Sequence, residues 1–241
     1  MVNNAGQSGG RARLVVRETL LDGGDLGTLG VSLQADIDAV IERNVCRRTG
    51  ASLCIFVESF SSAGINADIL SNDLDQGAGR TAIDVGPTPT QVANFGTIGV
   101  VNIVGNTIRN SSASCVPTTA IHYQLYTGRI ERNSIIGFLQ ECAAPITDAL
   151  PTAIWVGSLR GFPAASPTIR FNDITGNAFA SLRIASNVHT AINASCNWWG
   201  SASGPSVGAV PSDIVVETGG MAPTSTPFAA APIAGTGATG C

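Results

Sequence analysis

The chain has 241 residues, of which 12% are charged and 44% hydrophobic, with a formal net charge of −4. That composition excludes a disordered chain, which joins low hydrophobicity to high net charge, and a nucleic-acid surface, which needs clustered positive charge. No run approaches the roughly 18 consecutive apolar residues of a membrane-spanning helix, so no membrane insertion is expected.

The first strand expected along the chain is Leu14-Val-Val16, ten residues after Asn4, as part of an incomplete opening coil. A short helical turn fits Gln34 to Glu42. Then a hexamer, Ile-x-x-Asn-x-apolar, begins to recur. Its copies are Ile41-Glu-Arg-Asn44-Val-Cys46, Ile69-Leu-Ser-Asn72-Asp-Leu74, Ile103-Val-Gly-Asn106-Thr-Ile108, Ile130-Glu-Arg-Asn133-Ser-Ile135 and Ile169-Arg-Phe-Asn172-Asp-Ile174, with a looser one at Ile192-Asn-Ala-Ser-Cys-Asn197-Trp198. After each of the first five comes a second short strand: Leu53-Cys-Ile-Phe-Val57, Ile83-Asp-Val85, Ile121-His-Tyr-Gln-Leu125, Ile154-Trp-Val156 and Leu182-Arg-Ile184. The gap from the asparagine to this strand is 9, 11, 15, 21 and 10 residues in turn. Strands that keep their form while connections change length describe a stacked solenoid with its insertions in loops.

Strands this short, with Ile, Leu and Val at every second position, cannot bury a face alone. Stacked about 4.8 Å apart they form parallel sheets with aliphatic interior rows. The expected fold is therefore all-β: a right-handed parallel β-helix of three sheets and about seven coils over residues 1–205, with an Ala/Pro/Gly/Thr-rich tail over 206–241 packed on it or linking onward. Asn44, Asn72, Asn106, Asn133, Asn172 and Asn197 should form a buried ladder at the tight turn. There, asparagine tolerates the left-handed conformation and its amide can bond to the coils above and below.

Six cysteines, none in a C-x-x-C pair, and two histidines 67 residues apart argue against zinc and for three disulfides in an oxidising compartment. Secretion or cell-surface display is expected. The first ten residues carry neither a basic nor an apolar signal region, so the chain is expected to be mature or excised from a larger surface protein. Cys115 and Cys142 each lie nine residues after a ladder asparagine, which puts them side by side on adjacent coils and pairs them. Elimination then gives Cys46–Cys54 and Cys196–Cys241.

These repeats resemble the right-handed parallel β-helix, pectate-lyase-like superfamily over roughly residues 10 to 205. The most specific part, Asn197-Trp-Trp-Gly200 followed by Gly204-Pro205, is similar to the ending of extracellular bacterial β-helix repeat proteins. The resemblance implies that the Ile-x-x-Asn-x-Ile unit spans the second sheet, a turn and the third sheet, with the Thr-Ala-Ile strands forming the first sheet. It also implies a range of roles, from polysaccharide lyases, hydrolases and epimerases to adhesins. Trp198 and Trp199 are read as a cover over the last coil.

If Ile83, Ile121, Ile154 and Leu182 face inward, their successors form an outward row of Cys54, Asp84, His122, Trp155 and Arg183. A second row follows as Phe56, Gly86, Gln124, Gly157 and Ala185. Asp84, His122, Gln124, Trp155 and Arg183 are the candidate ligand-binding residues for an extended polysaccharide, with Trp155 stacking on a sugar ring and Arg183 pairing with a uronate. No cofactor is expected. Calcium at Asp73 and Asp75 has weak support, because Asn-Asp at such a corner is usually turn chemistry. No catalytic residue stands out. The leading expectation is a structural, adhesive or glycan-binding repeat domain, and the alternative is a polysaccharide lyase or hydrolase acting along the first sheet.

Overall fold

A computed structural model describes residues 12–22, 31–34, 37–47, 53–58, 65–76, 81–86, 99–111, 119–138, 151–157, 165–177, 179–209, 211–233 and 241. Strands, numbered in chain order, fall into three sheets. The second sheet holds β1 (Ala12–Arg17), β4 (Ile37–Glu42), β7 (Asn66–Leu70), β10 (Val100–Val104), β13 (Thr127–Glu131) and β16 (Ser166–Arg170). The third holds β2 (Leu20–Asp22), β5 (Val45–Arg47), β8 (Asp73–Asp75), β11 (Thr107–Arg109), β14 (Ser134–Ile136) and β17 (Asp173–Thr175). The first holds β3 (Val31–Gln34), β6 (Ile55–Glu58), β9 (Thr81–Val85), β12 (Thr119–Gln124), β15 (Thr152–Gly157), β18 (Ala180–Ile184) and β19 (Ile214–Val216). Each strand pairs in parallel with its counterpart one coil away, for example β10 with β7 and β13. The molecule is a parallel β-helix.

Its core is a set of vertical rows. Ile41, Ile69, Ile103, Ile130 and Ile169 stand in register and are all fully buried. Cys46, Leu74, Ile108, Ile135 and Ile174 form the matching row of the third sheet. Each coil thus supplies one residue to every row, and the hydrophobic gain comes from stacking, since no single coil encloses its own apolar side chains.

The ladder joins these two sheets. Asn72, Asn106, Asn133 and Asn172 are each at most 1% exposed. Each donates from its backbone N and its Nδ2 to the Oδ1 of the next ladder asparagine, at 2.9–3.0 Å. Nδ2 also reaches back to a carbonyl of the preceding coil, as from Asn106 to Ile69 at 2.9 Å. One expectation needs correction. The left-handed residue is the one before the asparagine: Arg43, Ser71, Gly105, Arg132, Phe171 and Cys196 all have φ between 52° and 69°. Asparagine holds its place through its amide, and the strain falls on its neighbour. In the first coil Thr19 stands at the ladder position and donates its backbone N to Asn44 Oδ1 at 3.1 Å, ending the series.

Three further expectations change. Leu14–Val16 lies in β1 of the second sheet, because it precedes the Glu18-Thr19 turn just as Ile41 precedes Arg43-Asn44. The stretch given a helical turn contains the end of β3 and all of β4, whose alternating burial is that of a strand. The first-sheet row has Phe56, not Cys54, beside Asp84, since Ile55 rather than Leu53 aligns with Ile83. Cys54 is buried at the corner before β6 and bonded to Cys46. Cys196 is bonded to Cys241. The Cys115–Cys142 pairing lies outside the described residues.

The chain after Pro205 returns to the solenoid. β19 extends the first sheet beyond β18. Residues 221–229 then bond along the last coil, with Thr224 N to Ile192 O and Ala194 N to Thr224 O, both 2.8 Å. Trp199, 3% exposed, is part of the core, and Phe228 of the strap packs against that core. Only glycine fits at position 204: φ is +83°, and a Cβ there would lie 2.5 Å from the Phe228 ring.

Candidate functional site

Five of the seven first-sheet strands carry one continuous outward row. Phe56, Asp84, His122, Trp155 and Arg183 occupy equivalent positions on β6, β9, β12, β15 and β18. Asp84 Oδ1 lies 2.9 Å from His122 Nδ1. In a neutral imidazole that contact places the proton on Nδ1 and leaves Nε2 as the acceptor. His122 stacks on Trp155 with ring centroids 4.3 Å apart and planes within 8°. Arg183 lies over the same indole, 5.5 Å from its centroid. Because β12 and β18 flank β15 on opposite sides, the two cover opposite faces of Trp155. Arg183 Nη2 pairs at 2.7 Å with Glu217, whose other carboxylate oxygen accepts the Ser186 backbone N at 3.0 Å.

The row therefore brings together Asp84, His122, Trp155 and Arg183, and engages the carboxylate, the His122 Nδ1 edge and the ring faces with one another. The stacking surface expected for a sugar on Trp155 is taken by an imidazole and a guanidinium. The charge expected to meet a uronate from Arg183 meets Glu217. Gln124 is only 8% exposed and lies against the neighbouring glycines: a Cβ on Gly86 or Gly157 would come within 3.0 or 3.1 Å of its amide. His122 Nε2 and Trp155 Nε1 are enclosed with no hydrogen-bond partner among the described residues. Glu217, which closes the row, follows Ile214-Val-Val216, an apolar triplet visible in the sequence but not connected there to the first sheet.

Asp73 and Asp75 do not fit calcium. Arg47 reaches Asp73 at 3.3 Å, and Arg109 pairs with both Asp73 and Asp75. The hydrogen bond to Asp73 raises the Arg109 guanidinium above its ordinary value. Two guanidinium groups thus occupy the oxygens a hard cation would need. Among the described residues no three His, Cys, Asp or Glu side chains gather as a metal-ligand set.

On the turn edge, a recess of about 220 Å³ is lined by Arg132, Ser134, Phe171 and Asp173. Burial raises the Asp173 carboxyl above its usual range, against a smaller opposing hydrogen bond from Thr175. A carboxyl raised by folding costs stability once ionised. The cost is absent below the unfolded-state value and appears as pH rises through the folded-state value. Asp173→Asn should accordingly raise the melting temperature at neutral pH, with the gain fading at pH below the carboxylate range. Melts of both proteins across pH test this, and an equal gain at every pH would point to a cause other than ionisation.

Compared with known protein families, curated proteins and solved structures, the chain has no match.

Proposed function

We propose that this chain is an extracellular β-helix repeat domain, akin in build to the pectate-lyase-like superfamily, that acts as a rigid structural and adhesive scaffold without catalysis. The observation that carries this reading is the closed first-sheet row. The acid, imidazole, indole and guanidinium that polysaccharide chemistry would require open to substrate are committed to one another. Two disulfides support an oxidising, extracellular setting. A stiff rod with variable connections suits a part of a larger surface protein or assembly that holds extended polysaccharide.

A second reading, a polysaccharide lyase or hydrolase on the first sheet, draws on one observation. Asp84 orients His122 in the manner of an acid–base pair and leaves Nε2 uncommitted. One screen separates the two. The purified chain is incubated with a panel of neutral and acidic polysaccharides, and reducing ends and unsaturated products are measured. The scaffold reading expects no release above background. Release abolished by His122→Ala would overturn it in favour of the enzyme.

A further inference from the structure

We infer that the recess on the turn edge binds a small zwitterion of amino-acid size, with its carboxylate held by Arg132 and its ammonium by Asp173. The recess lies away from the first-sheet row, so it stands whether or not that face is catalytic.

The ladder builds the recess. The residues on either side of three successive ladder asparagines line it: Gly105 and Thr107, Arg132 and Ser134, Phe171 and Asp173. Thr107, Ser134 and Asp173 stand in register on β11, β14 and β17 and form one wall. Gly105 brings no side chain to the other wall, which leaves room beside Arg132. Its volume of about 220 Å³ lies below the roughly 300–1,000 Å³ of drug-sized pockets, which limits the occupant to a small molecule.

Opposite charges line this space without meeting. Among the described residues Arg132 has no carboxylate partner, since the adjacent Glu131 pairs with Arg129 at 3.7 Å. Asp173 accepts a side-chain bond from Thr175, yet its Oδ1 is shut off from bulk water with no hydrogen-bond partner. The hydroxyls of Thr107 and Ser134 also make no hydrogen bond among the described residues. A cation, a carboxyl and two hydroxyls thus converge on one recess with bonding capacity to spare, as polar groups do at ligand sites.

Charge and shape select the class. A guanidinium fork matches a carboxylate, and the three donors of an ammonium match the Asp173 carboxyl and the Ser134 hydroxyl. A lone acid would face Asp173 and a lone amine would face Arg132, each a like-charge penalty. Phe171, held with the Arg170 guanidinium 4.7 Å from its centroid, and Ile233 supply apolar surface for a short aliphatic side chain. Burial disfavours the ionised Asp173 carboxyl in the free chain, and an arriving ammonium would offset that cost.

The test is calorimetric titration of the full chain with glycine, alanine and valine. Propionate and ethylamine serve as alanine analogues that each lack one charge. Alanine or valine should bind, and each analogue should bind about tenfold or more weakly than alanine. Asp173→Asn and Arg132→Gln should each weaken alanine about tenfold, while Arg13→Gln, which removes the same charge from β1, should leave it unchanged. Melting curves establish that the variants are folded. Asp173→Asn should melt higher than the parent chain at neutral pH, so its weaker binding would not come from unfolding. Absence of binding by all three amino acids, an analogue that binds as tightly as alanine, or alanine affinity unaltered by Asp173→Asn overturns the inference.

Discussion

Asn133→Leu should lower the unfolding free energy by about 2–5 kcal/mol, because several hydrogen bonds converge on that one buried amide and the substitution orphans their partners. Asn133 Oδ1 accepts from the Asn106 backbone N at 2.9 Å and from Asn106 Nδ2 at 3.0 Å. Its Nδ2 donates to Ile103 O and Asn172 Oδ1, both at 2.9 Å. Leucine has the same branched skeleton and is somewhat larger, so no cavity forms, and the main cost is that of polar groups left in an apolar interior with no water to replace the amide. The orphaned Asn106 N–H matters most, since an unmet buried donor is rarer and costlier than an under-used carbonyl. Urea unfolding of both proteins gives the measurement, with an unchanged slope as the sign that only stability moved. A loss below about 1 kcal/mol, the worth of one ordinary hydrogen bond, would mean that the ladder is not a cooperative element.

That ladder was legible in the sequence because five of its six copies keep one spacing on both sides: an isoleucine three residues before and an apolar residue two after. The first-sheet row was legible where Thr-Ala-Ile anchors it, at Ile83, Ile121 and Ile154. It slipped at β6, where Leu53, Ile55 and Val57 are all apolar at period two, so a shift of two residues preserves the inward pattern and only the pairing partner reveals it. The left-handed position was hidden for another reason. Arg43, Ser71, Arg132 and Phe171 share no chemistry, and their conformation is imposed by backbone bonds such as Ser71 N to Val104 O at 3.0 Å. Expecting Trp155 and Arg183 to face a ligand required knowing what their neighbours do, and Glu217 arrives from beyond the last repeat. The outer face of the second sheet left a faint trace. The residues just before the ladder isoleucines read Val40, Asp68, Asn102, Arg129 and Thr168, a series that is polar after its first member and that only coil stacking turns into a surface.

Cys241→Ser should produce the second large effect, up to about 4 kcal/mol in the chain-entropy account, because the bond to Cys196 closes a separation of 45 residues. The Cys46–Cys54 bond spans only 8 residues, which the same account rates at about 2.5 kcal/mol. The larger loss should also be local. The strap over 221–229 is held by backbone bonds and by little apolar burial beyond Phe228 and Ala229. Once untied, it should open in a sub-global step well below full unfolding. Opening would strip the partner from Ala194 N, bonded to Thr224 O at 2.8 Å, and lift Phe228 from the core. It would also release Ala229 N from the carbonyl of Asn197, the last rung of the ladder, at 3.0 Å. Amide exchange should then accelerate at Ala194 and Thr224, while Asn106, three coils inside, keeps its protection. If Ala194 exchanges as slowly in Cys241→Ser as in the parent chain, the strap holds without its crosslink. The end of the solenoid would then be closed by the strap's backbone bonds without help from the disulfide.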